Sequence, residues 1–272
     1  MGYERVWRTV LWVAVAIAVI RGWILPLGDS FWVDETVTYW TIKDGWGPFW
    51  ERTAVHQDSR AYCALLWAWA QVTGMSEVAL RLPSLLSIVG ALGVAAWMLR
   101  QRFGPGTGWP VWALATVYPQ LQFYGGDARP YALALLMYAL ASAALLRLHK
   151  QPGAGRALVW AVTAGLSVWV QPVTAVGLVA HAVWVLGIEG KALLDWRRTG
   201  AYLFGASVAG AMAWLEFLRI TPFYGRNEVR MLNQTPLIFR YLELAMPPAP
   251  LLPLLTAAML SVAFGLWRRQ RQ

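Results

Sequence analysis

Long apolar runs separated by short polar segments dominate this chain of 272 residues. A helix needs about 20 residues to cross about 30 Å of hydrocarbon. Measured against that length, the runs predict eight membrane-spanning helices, near residues 8–27, 82–99, 108–124, 131–148, 157–170, 173–188, 200–218 and 249–267. We therefore expect an all-α integral membrane protein, with one transmembrane domain over residues 1–272.

Two of these runs could be interpreted in another way. The first is longer than the roughly 7–15 apolar residues of a signal peptide and no small-residue cleavage site follows it, so we expect an uncleaved helix. Residues 157–188 could form one long helix, but Gln171-Pro172 lies in the middle. Proline lacks a backbone donor and clashes with the preceding turn. We expect two short helices there, with the break below the outer surface.

The segment 28–81, between the first two spans, is too long for a simple connection. Asp34 is the expected N-cap of a helix that runs to about Lys43, because aspartate is a preferred capping residue. A second element, Tyr62 to Val72, is apolar but too short to span, and we expect it at the interface. Residues 219–247 form a further loop before the last span.

The composition agrees with a membrane protein. Hydrophobic residues make up 58% of the chain and charged residues 14%, against roughly 25% charged residues in an average soluble domain. Eighteen tryptophans suit a chain with many membrane interfaces. Cys63 is the only cysteine, so no disulfide can form within the chain and an internal disulfide scaffold is excluded.

The net charge of +9 could suggest a nucleic-acid partner, but its distribution argues against one. One set of helix ends carries most of the positive charge, and the remaining basic and acidic residues nearly cancel. By the positive-inside rule this predicts a multi-pass protein of the cytoplasmic (inner) membrane with both termini in the cytoplasm. The basic set is Arg5, Arg8, Arg100, Arg102, Arg147, Lys150, Arg156, Lys191, Arg197, Arg198, Arg268, Arg269 and Arg271, against Glu4, Glu189 and Asp195.

Charged residues also cluster on the predicted outer side, where burial near a membrane is costly. The pair Asp34-Glu35 either caps a helix or supplies a general base at the membrane surface. Arg129 follows Asp127 at the start of a span, either as a snorkelling interface residue or as a phosphate clamp beside a helix N-terminus.

Four further charged or titratable residues are candidates for the site. Arg81 is either a topological anchor or a second phosphate contact. The residues His56, Asp58 and Arg60 lie in the first outer loop, and their spacing is not that of a zinc site. No cofactor is indicated with certainty, and a divalent metal stays an open alternative.

Four blocks then occur in order. They are Trp32-Val-Asp34-Glu35-Thr36, His56-Gln-Asp-Ser-Arg-Ala-Tyr62, Gly74-Met-Ser-Glu-Val-Ala-Leu-Arg81-Leu-Pro-Ser84 and Gln122-Phe-Tyr-Gly-Gly-Asp127-Ala-Arg129-Pro-Tyr131. Together they resemble the GT-C membrane glycosyltransferases of the dolichyl-phosphate-mannose protein mannosyltransferase type, including bacterial relatives such as the lipid A aminoarabinose transferases. The resemblance covers roughly residues 1–220. It implies a GT-C-like fold and transfer of a sugar from a polyprenyl-phosphate donor to a lipid, glycan or protein acceptor on the outer face of the membrane.

The resemblance also implies roles for single residues. Asp34 matches the catalytic carboxylate of the first outer loop, with Glu35 as its neighbour. Arg129 matches an arginine expected near the donor phosphate, with Arg60 and Arg81 as further cations. Supporting positions follow for Asp127, Tyr131, His56 and Asp58.

The chain departs from the family in ways that keep a rival open. It reads Ser59-Arg60-Ala61-Tyr62-Cys63 where the family usually has Pro-Pro-Leu-Tyr-Tyr, Gln171 replaces a common histidine, and the chain stops at Gln272 where relatives usually carry more helices. We therefore weigh a minimal enzyme against half of a two-chain enzyme, and against a non-catalytic membrane subunit that serves as a scaffold for partner membrane subunits or lipids. A transporter or channel fits less well, because the ionisable residues stop at the outer ends of the spans.

Overall fold

The computed structural model describes the backbone of residues 2–56, 59–189 and 195–231, and the side chains of residues 6–54, 59–187 and 195–219. All secondary structure in these ranges is helical. Helices are α1 (Gly2–Val19), α2 (Val33–Ile42), α3 (Trp46–His56), α4 (Arg60–Thr73), α5 (Glu77–Phe103), α6 (Trp109–Val117), α7 (Pro119–Gly125), α8 (Tyr131–Lys150), α9 (Ala154–Val170), α10 (Thr174–Glu189) and α11 (Trp196–Met231).

The backbone contacts divide the chain into two compact units, Met1–Ile220 and Thr221–Gln272. All the side chains described below belong to the first unit. The loop before the last span was predicted to begin at residue 219, but α11 continues to Met231, so that boundary was wrong. The rest of this loop, residues 232–247, and the span predicted over 249–267 lie outside the described residues.

Four helices in the described part of the chain are long and apolar enough to cross a membrane. They are Val6–Gly28, Glu77–Phe103, Tyr131–Lys150 and Trp196–Arg219, and two shorter apolar helices cover Ala154–Val170 and Thr174–Gly187. The first of the four continues α1 through a π-helical turn, Ile20–Ile24, and a 3₁₀ turn, Leu25–Gly28. The structure thus supports an all-helical protein compatible with a membrane.

The run predicted as one span over 108–124 is divided into α6 and α7. Tyr118 is extended, with φ −90° and ψ 107°, and Pro119 begins the next helix. A residue before proline is pushed out of the helical region, and proline offers no N–H to continue the helix. Hydropathy alone does not register this break, so the prediction of a continuous helix was wrong.

The break predicted at Gln171-Pro172 is confirmed. Gln171 is extended between α9 and α10, and the chain reverses there. Contacts with α8 show the reversal, because the Tyr138 hydroxyl donates to the Gly177 carbonyl at 3.0 Å, and His149 and Trp184 pack ring to ring at 5.1 Å. Helix α10 therefore runs parallel to α8, in the direction opposite to α9.

Helix α11 packs along α9 in the same direction. Arg198, near its start, donates to the His149 carbonyl at 3.2 Å. Further along, the Trp169 indole donates to the Met212 carbonyl at 2.6 Å. Gly205 allows the close approach, because a Cβ at this position would lie 2.8 Å from the Trp160 ring.

The segment between the first helix and α5 folds as three short helices, α2 to α4. Helix α2 ends at Ile42, close to the predicted end at Lys43, and α4 covers the predicted element at Tyr62–Val72. Helix α3 was not predicted. The three pack around a shared apolar core that includes Ile42, Phe49 and Leu66.

The basic side chains at the ends of the long helices gather at the other end of this unit. Arg147 of α8 lies over the Trp97 ring of α5 at 5.1 Å, and Arg198 contacts the end of α8. The outer-side candidates lie at the opposite ends of α5 and α8. In the described helices, the basic side chains of Arg100 and Arg147 therefore lie at the ends away from Arg81 and Asp127. Which of these ends faces the cytoplasm stays a prediction.

Candidate functional site

Three separate segments of the chain meet at the candidate site, beside the N-terminal ends of α5 and α8. The first is the 3₁₀ turn with the start of α2, the second is the start of α5, and the third is the turn between α7 and α8. They contribute Asp34 and Glu35, Arg81, and Asp127 with Arg129, respectively. Residues that lie up to 95 positions apart thereby come into direct contact.

Glu35 and Arg81 form a buried, bidentate ion pair. The Nε and Nη2 atoms of Arg81 donate to the Oε1 and Oε2 atoms of Glu35 at 2.8 and 2.5 Å. Glu35 is 1% exposed and Arg81 is 3% exposed. Two parallel hydrogen bonds of this kind fix the relative orientation of the two side chains as well as their separation.

Both partners of this pair make further hydrogen bonds to the backbone. Glu35 Oε2 accepts from the Trp32 N–H at 3.2 Å, and Oε1 accepts from the Ala128 N–H at 2.8 Å. The Nη1 and Nη2 atoms of Arg81 donate to carbonyl oxygens of the turn before α2, at Pro26, Leu27, Asp29 and Ser30. The hydrogen-bonding capacity of the pair is thus used within the protein, and the pair joins all three segments.

Asp34 lies next to this pair but does not share its burial. The residue before α2 is Trp32, and Asp34 occupies the second helical position, so the prediction of Asp34 as N-cap was wrong by two residues. The capping contact comes from the Glu35 carboxylate instead, which binds the Trp32 N–H. Among the described residues, nothing donates to or pairs with the Asp34 carboxylate, and Asp34 is half-buried.

Arg129 reaches α2 from the third segment. Its Nη1 donates to the Asp34 carbonyl at 3.3 Å and to the Thr38 hydroxyl at 3.2 Å. The guanidinium therefore lies against the first turns of α2. Arg129 thus contacts the backbone of the residue that precedes Glu35, although 95 positions separate the two in the sequence.

Asp127 is the most perturbed acid of the site. It is 2% exposed, and its Oδ1 accepts from the Trp32 indole N–H at 3.1 Å. The other oxygen, Oδ2, has no hydrogen-bond partner among the described residues. Burial raises the pKa of Asp127 to about 7, with a further rise from Glu35 and Asp34 and an opposing effect of the Trp32 and Arg129 contacts.

Arg60, at the start of α4, lies near the C-terminal part of α11. Its Nε donates to the Thr53 hydroxyl at 3.3 Å, and its guanidinium lies 5.5 Å from the Trp50 ring. Burial lowers the pKa of Arg60, and the charge of Arg219 lowers it further, while Glu216 raises it. Arg219 and Glu216 form a bidentate ion pair, so this group carries one excess positive charge.

A chain of hydroxyl groups connects α4 with the third segment. The Tyr62 and Ser84 hydroxyls lie 3.1 Å apart, and Ser84 donates to the Arg129 carbonyl at 3.4 Å. Ser59, the N-cap of α4, contacts the Trp169 carbonyl at the end of α9. Arg60 therefore belongs to the same end of the molecule as Arg129.

The remaining candidates contribute less to this geometry. Tyr131 packs against Tyr124 with ring centroids 5.0 Å apart. The side chains of His56 and Asp58 lie outside the described residues. No group of three or more His, Cys, Asp or Glu side chains suited to a metal is present in the part of the chain that the structure describes.

Sequence reasoning missed three contributors to the site. Trp32, Thr38 and Ser84 hold Asp127 and Arg129 by hydrogen bonds. Trp32 and Ser84 lie inside the sequence blocks quoted above, where they were read as context for the charged residues. Thr38 follows Asp34 by one helical turn, and this i, i+4 spacing was the available signal.

Comparison of the chain with protein-family models, curated protein sequences and solved structures finds no match.

Proposed function

We propose that this protein is a membrane glycosyltransferase that moves a sugar from a polyprenyl-phosphate donor to an acceptor, with Asp34 as the general base. The observation that carries the proposal is the contrast between two adjacent acids. Glu35 is buried and fully hydrogen-bonded, whereas the Asp34 carboxylate has no such partner within the described residues, and the backbone carbonyl of Asp34 accepts from Arg129. A base must be able to accept a proton from its substrate, and a carboxylate that is not already held by hydrogen-bond donors is suited to this role.

In this proposal, Glu35 and Arg81 are positioning residues. Their ion pair holds the start of α2 against α5 and against Ala128. Arg81 has its guanidinium bound by Glu35 and by backbone carbonyls, so we leave it out of the proposed phosphate contacts. Arg129 and Arg60 are the proposed cations for the donor phosphate.

The proposed reaction balances as a simple group transfer. The acceptor hydroxyl or amine loses its proton to Asp34 as its oxygen or nitrogen bonds to the anomeric carbon of the sugar. The bond between that carbon and the phosphate oxygen breaks, and the electron pair leaves with the polyprenyl phosphate. Arginines beside this phosphate favour the transition state, because negative charge grows there as the bond breaks.

The proposed topology, location and partners follow the sequence prediction. We propose eight crossings with a GT-C-like arrangement, both termini in the cytoplasm and the site on the outer face of the cytoplasmic membrane. Partners are the polyprenyl-phosphate sugar, a lipid, glycan or protein acceptor, and membrane lipids. Tyr131, His56 and Asp58 keep supporting roles, and a divalent metal stays an open alternative.

The experiment uses the full chain in lipid nanodiscs, with a polyprenyl-phosphate sugar and a membrane extract as the acceptor source. Release of polyprenyl phosphate and sugar incorporation are both measured. Asp34→Asn should lower turnover by at least about 10²-fold, the low end for loss of a general base. Asp29→Asn is the matched control, since Asp29 is an exposed acid of the same segment, and it should retain activity.

A second candidate is a non-catalytic scaffold, and the Glu35–Arg81 pair favours it. A buried pair whose hydrogen bonds are all made within the protein has a structural role that needs no substrate, because the loss of either partner would leave the other charge buried and unpaired. Absence of turnover by the unmutated chain with every acceptor fraction, together with its isolation from native membranes as a fixed subunit of a larger assembly, would favour the scaffold over the enzyme.

A further inference from the structure

Two apolar grooves flank Trp97 near the C-terminal end of α5, which carries Arg100. They lie away from the candidate site, which is at the start of α5. The first has a volume of about 430 Å³ and lies between α5 and the start of α6. Its lining includes Gly93, Ala96, Trp97, Arg100, Trp109 and Trp112. The second has a volume of about 490 Å³ and lies between α5, α8 and α9, with a lining that includes Gly90, Gly93, Trp97, Ala143, Arg147 and Val159.

The grooves share Gly93 and Trp97, so they run along the two sides of one aromatic ridge. A Cβ placed on Gly93 would meet no atom within 4 Å. The helix surface between the grooves is therefore open, and a side chain added at Gly93 would enter the groove space without displacing a neighbour.

Each groove has an arginine at its basic end. Arg100 lines the first, and Arg147 lines the second while its guanidinium lies 5.1 Å from the Trp97 ring. Neither groove is lined by an acidic residue. Among the described residues, no carboxylate pairs with Arg100 or Arg147. An anionic group at this level would therefore face two exposed cations, with no carboxylate paired to either of them among the described residues.

Each groove is shorter than one leaflet. Each follows α5 over seven positions, from Gly93 to Arg100 in the first groove and from Gly90 to Trp97 in the second, which is about 10 Å of helix at 1.5 Å per residue. The hydrocarbon core of a bilayer is about 30 Å thick, so each groove fits within the leaflet next to its arginine. A partner helix would need a continuous face across the full thickness, whereas an acyl chain needs only part of one leaflet.

We propose that these grooves bind an anionic glycerophospholipid, with its acyl chains on the two sides of Trp97 and its phosphate held by Arg100 and Arg147. Basic pockets between transmembrane helices are the sites where anionic headgroups are recognised, and the arginine guanidinium presents planar donors to phosphate oxygens. Trp97, Trp109 and Trp112 supply the amphipathic rings that favour this depth. The site is separate from the carboxylate site, so it does not depend on the proposed transferase activity.

The test measures lipid binding to the purified full chain. Phosphatidylglycerol and phosphatidylcholine with identical acyl chains are titrated into the detergent-solubilised protein, and bound lipid is counted by native mass spectrometry. Phosphatidylglycerol should bind more tightly. The double variant Arg100→Gln/Arg147→Gln should lose about 30-fold in phosphatidylglycerol affinity, on the basis of the contribution of each basic residue near an anionic headgroup.

The matched control is Arg156→Gln/Arg197→Gln, which removes the same charge from exposed positions at the same end but outside both grooves. It should keep the affinity within about threefold. Gly93→Phe should reduce binding of both lipids, because the phenyl ring would occupy space within the grooves. Gly210→Phe, at an open position of α11, should leave binding unchanged. Thermal melting of every variant verifies folding.

Four outcomes would overturn the proposal. The first is equal affinity of the unmutated chain for the two lipids, and the second is an equal loss in the control pair, which would indicate attraction to the whole basic end. The third is capture of a protein segment instead of lipid by a photo-crosslinker at position 93 in native membranes. Competition by free inorganic phosphate as strong as by phosphatidylglycerol would equally contradict a lipid site, because the acyl chains would then contribute nothing.

Discussion

Glu35 and Arg81 are joined by two hydrogen bonds of 2.8 and 2.5 Å although 46 positions separate them in the sequence. The same carboxylate accepts from the Ala128 N–H, 93 positions away. One side chain therefore links the start of α2, the start of α5 and the turn before α8. Asp34 precedes Glu35 directly, so its position follows from the ion pair beside it.

Removal of the Glu35 charge should destabilise the protein strongly. In Glu35→Gln the Arg81 guanidinium, 3% exposed, would stay buried without a counter-charge. Breaking one side of a buried pair typically costs about 3–5 kcal/mol. We expect a clear fall in the melting temperature of the protein in lipid nanodiscs, measured by tryptophan fluorescence.

The control for this variant is Asp44→Asn, which breaks the exposed ion pair between Asp44 and Arg52. The Arg52 hydrogen bond lowers the pKa of Asp44, as do the charges of Lys43 and Arg52, but exposed pairs contribute little to stability. Its melting temperature should stay near that of the unmutated protein. Equal shifts in the two variants would contradict a special role for the buried pair.

The Glu35–Arg81 pair also marks the limit of prediction from sequence. Hydrophobic runs and proline positions act over one or two helical turns, so they correctly indicated α2, α4 and the break at Gln171. Glu35 and Arg81 were instead predicted to take part in the chemistry, because charged residues near a membrane are costly to bury and are often functional. Which charge meets which is decided by tertiary contacts between distant segments, and no local pattern encodes it.

The α6–α7 break shows a different limit. Residues 108–124 are apolar and have about the length of one span, so hydropathy predicted a continuous helix although Pro119 lies within them. Residues 157–188 are too long for a single span, and the proline in their middle was therefore interpreted as a break.

The stability of the protein should depend on pH through Asp127. Burial raises the pKa of Asp127 to about 7 from an ordinary value near 3.8, so the folded state favours the protonated form. The stabilisation is fully present below about pH 4 and is lost as pH rises towards 7. It amounts to at most about 4 kcal/mol, since each pKa unit corresponds to about 1.4 kcal/mol.

Asp127→Asn isolates this contribution, because asparagine keeps an oxygen that can accept from the Trp32 indole but does not titrate. Melting temperatures of both proteins from pH 4 to 8 give a difference curve. We expect the unmutated protein to lose stability relative to the variant between pH 4 and 7. A flat difference curve would mean that Asp127 titrates in the folded state near its ordinary pKa.

A third prediction concerns the packing of α11 on α9. In Gly205→Ala the new methyl group would lie 2.8 Å from the Trp160 ring and 3.0 Å from the Ala157 carbonyl, and overpacking of this kind costs typically about 1–3 kcal/mol. Gly210→Ala, on the same helix with nothing within 4 Å, should be neutral or slightly stabilising because alanine favours a helix. Melting temperatures distinguish the two, and similar values would place α11 away from α9.

The orientation of the helices can be tested by cysteine labelling. Cys63 is 1% exposed and is first replaced by alanine, which fits the same packed site. In this background we expect a membrane-impermeant maleimide to label Val72→Cys on intact cells but not Lys150→Cys. Val72 is 86% exposed at the acidic end, and Lys150 ends α8 at the basic end. Labelling of position 150 from outside would reverse the proposed topology.

The last prediction separates the proposed phosphate contacts from an arginine outside the site. Arg129→Gln and Arg60→Gln should each weaken binding of a polyprenyl phosphate by about 10- to 100-fold, because a hydrogen bond to a charged group contributes about 1.5–3 kcal/mol. Arg52→Gln, on α3, should leave binding unchanged, since Arg52 binds Asp44 and the Trp40 carbonyl. Displacement of a fluorescent polyprenyl phosphate from the full chain measures all three.

A positional effect of Arg129 needs its own control, because its Nη1 also holds Thr38 and the Asp34 carbonyl. Thr38→Val removes the hydroxyl partner but leaves the arginine charge in place. If donor binding depends on that charge, Thr38→Val should weaken it much less than Arg129→Gln does. Equal losses would instead mean that Arg129 acts by holding α2, and the donor phosphate would then have to be bound by other residues.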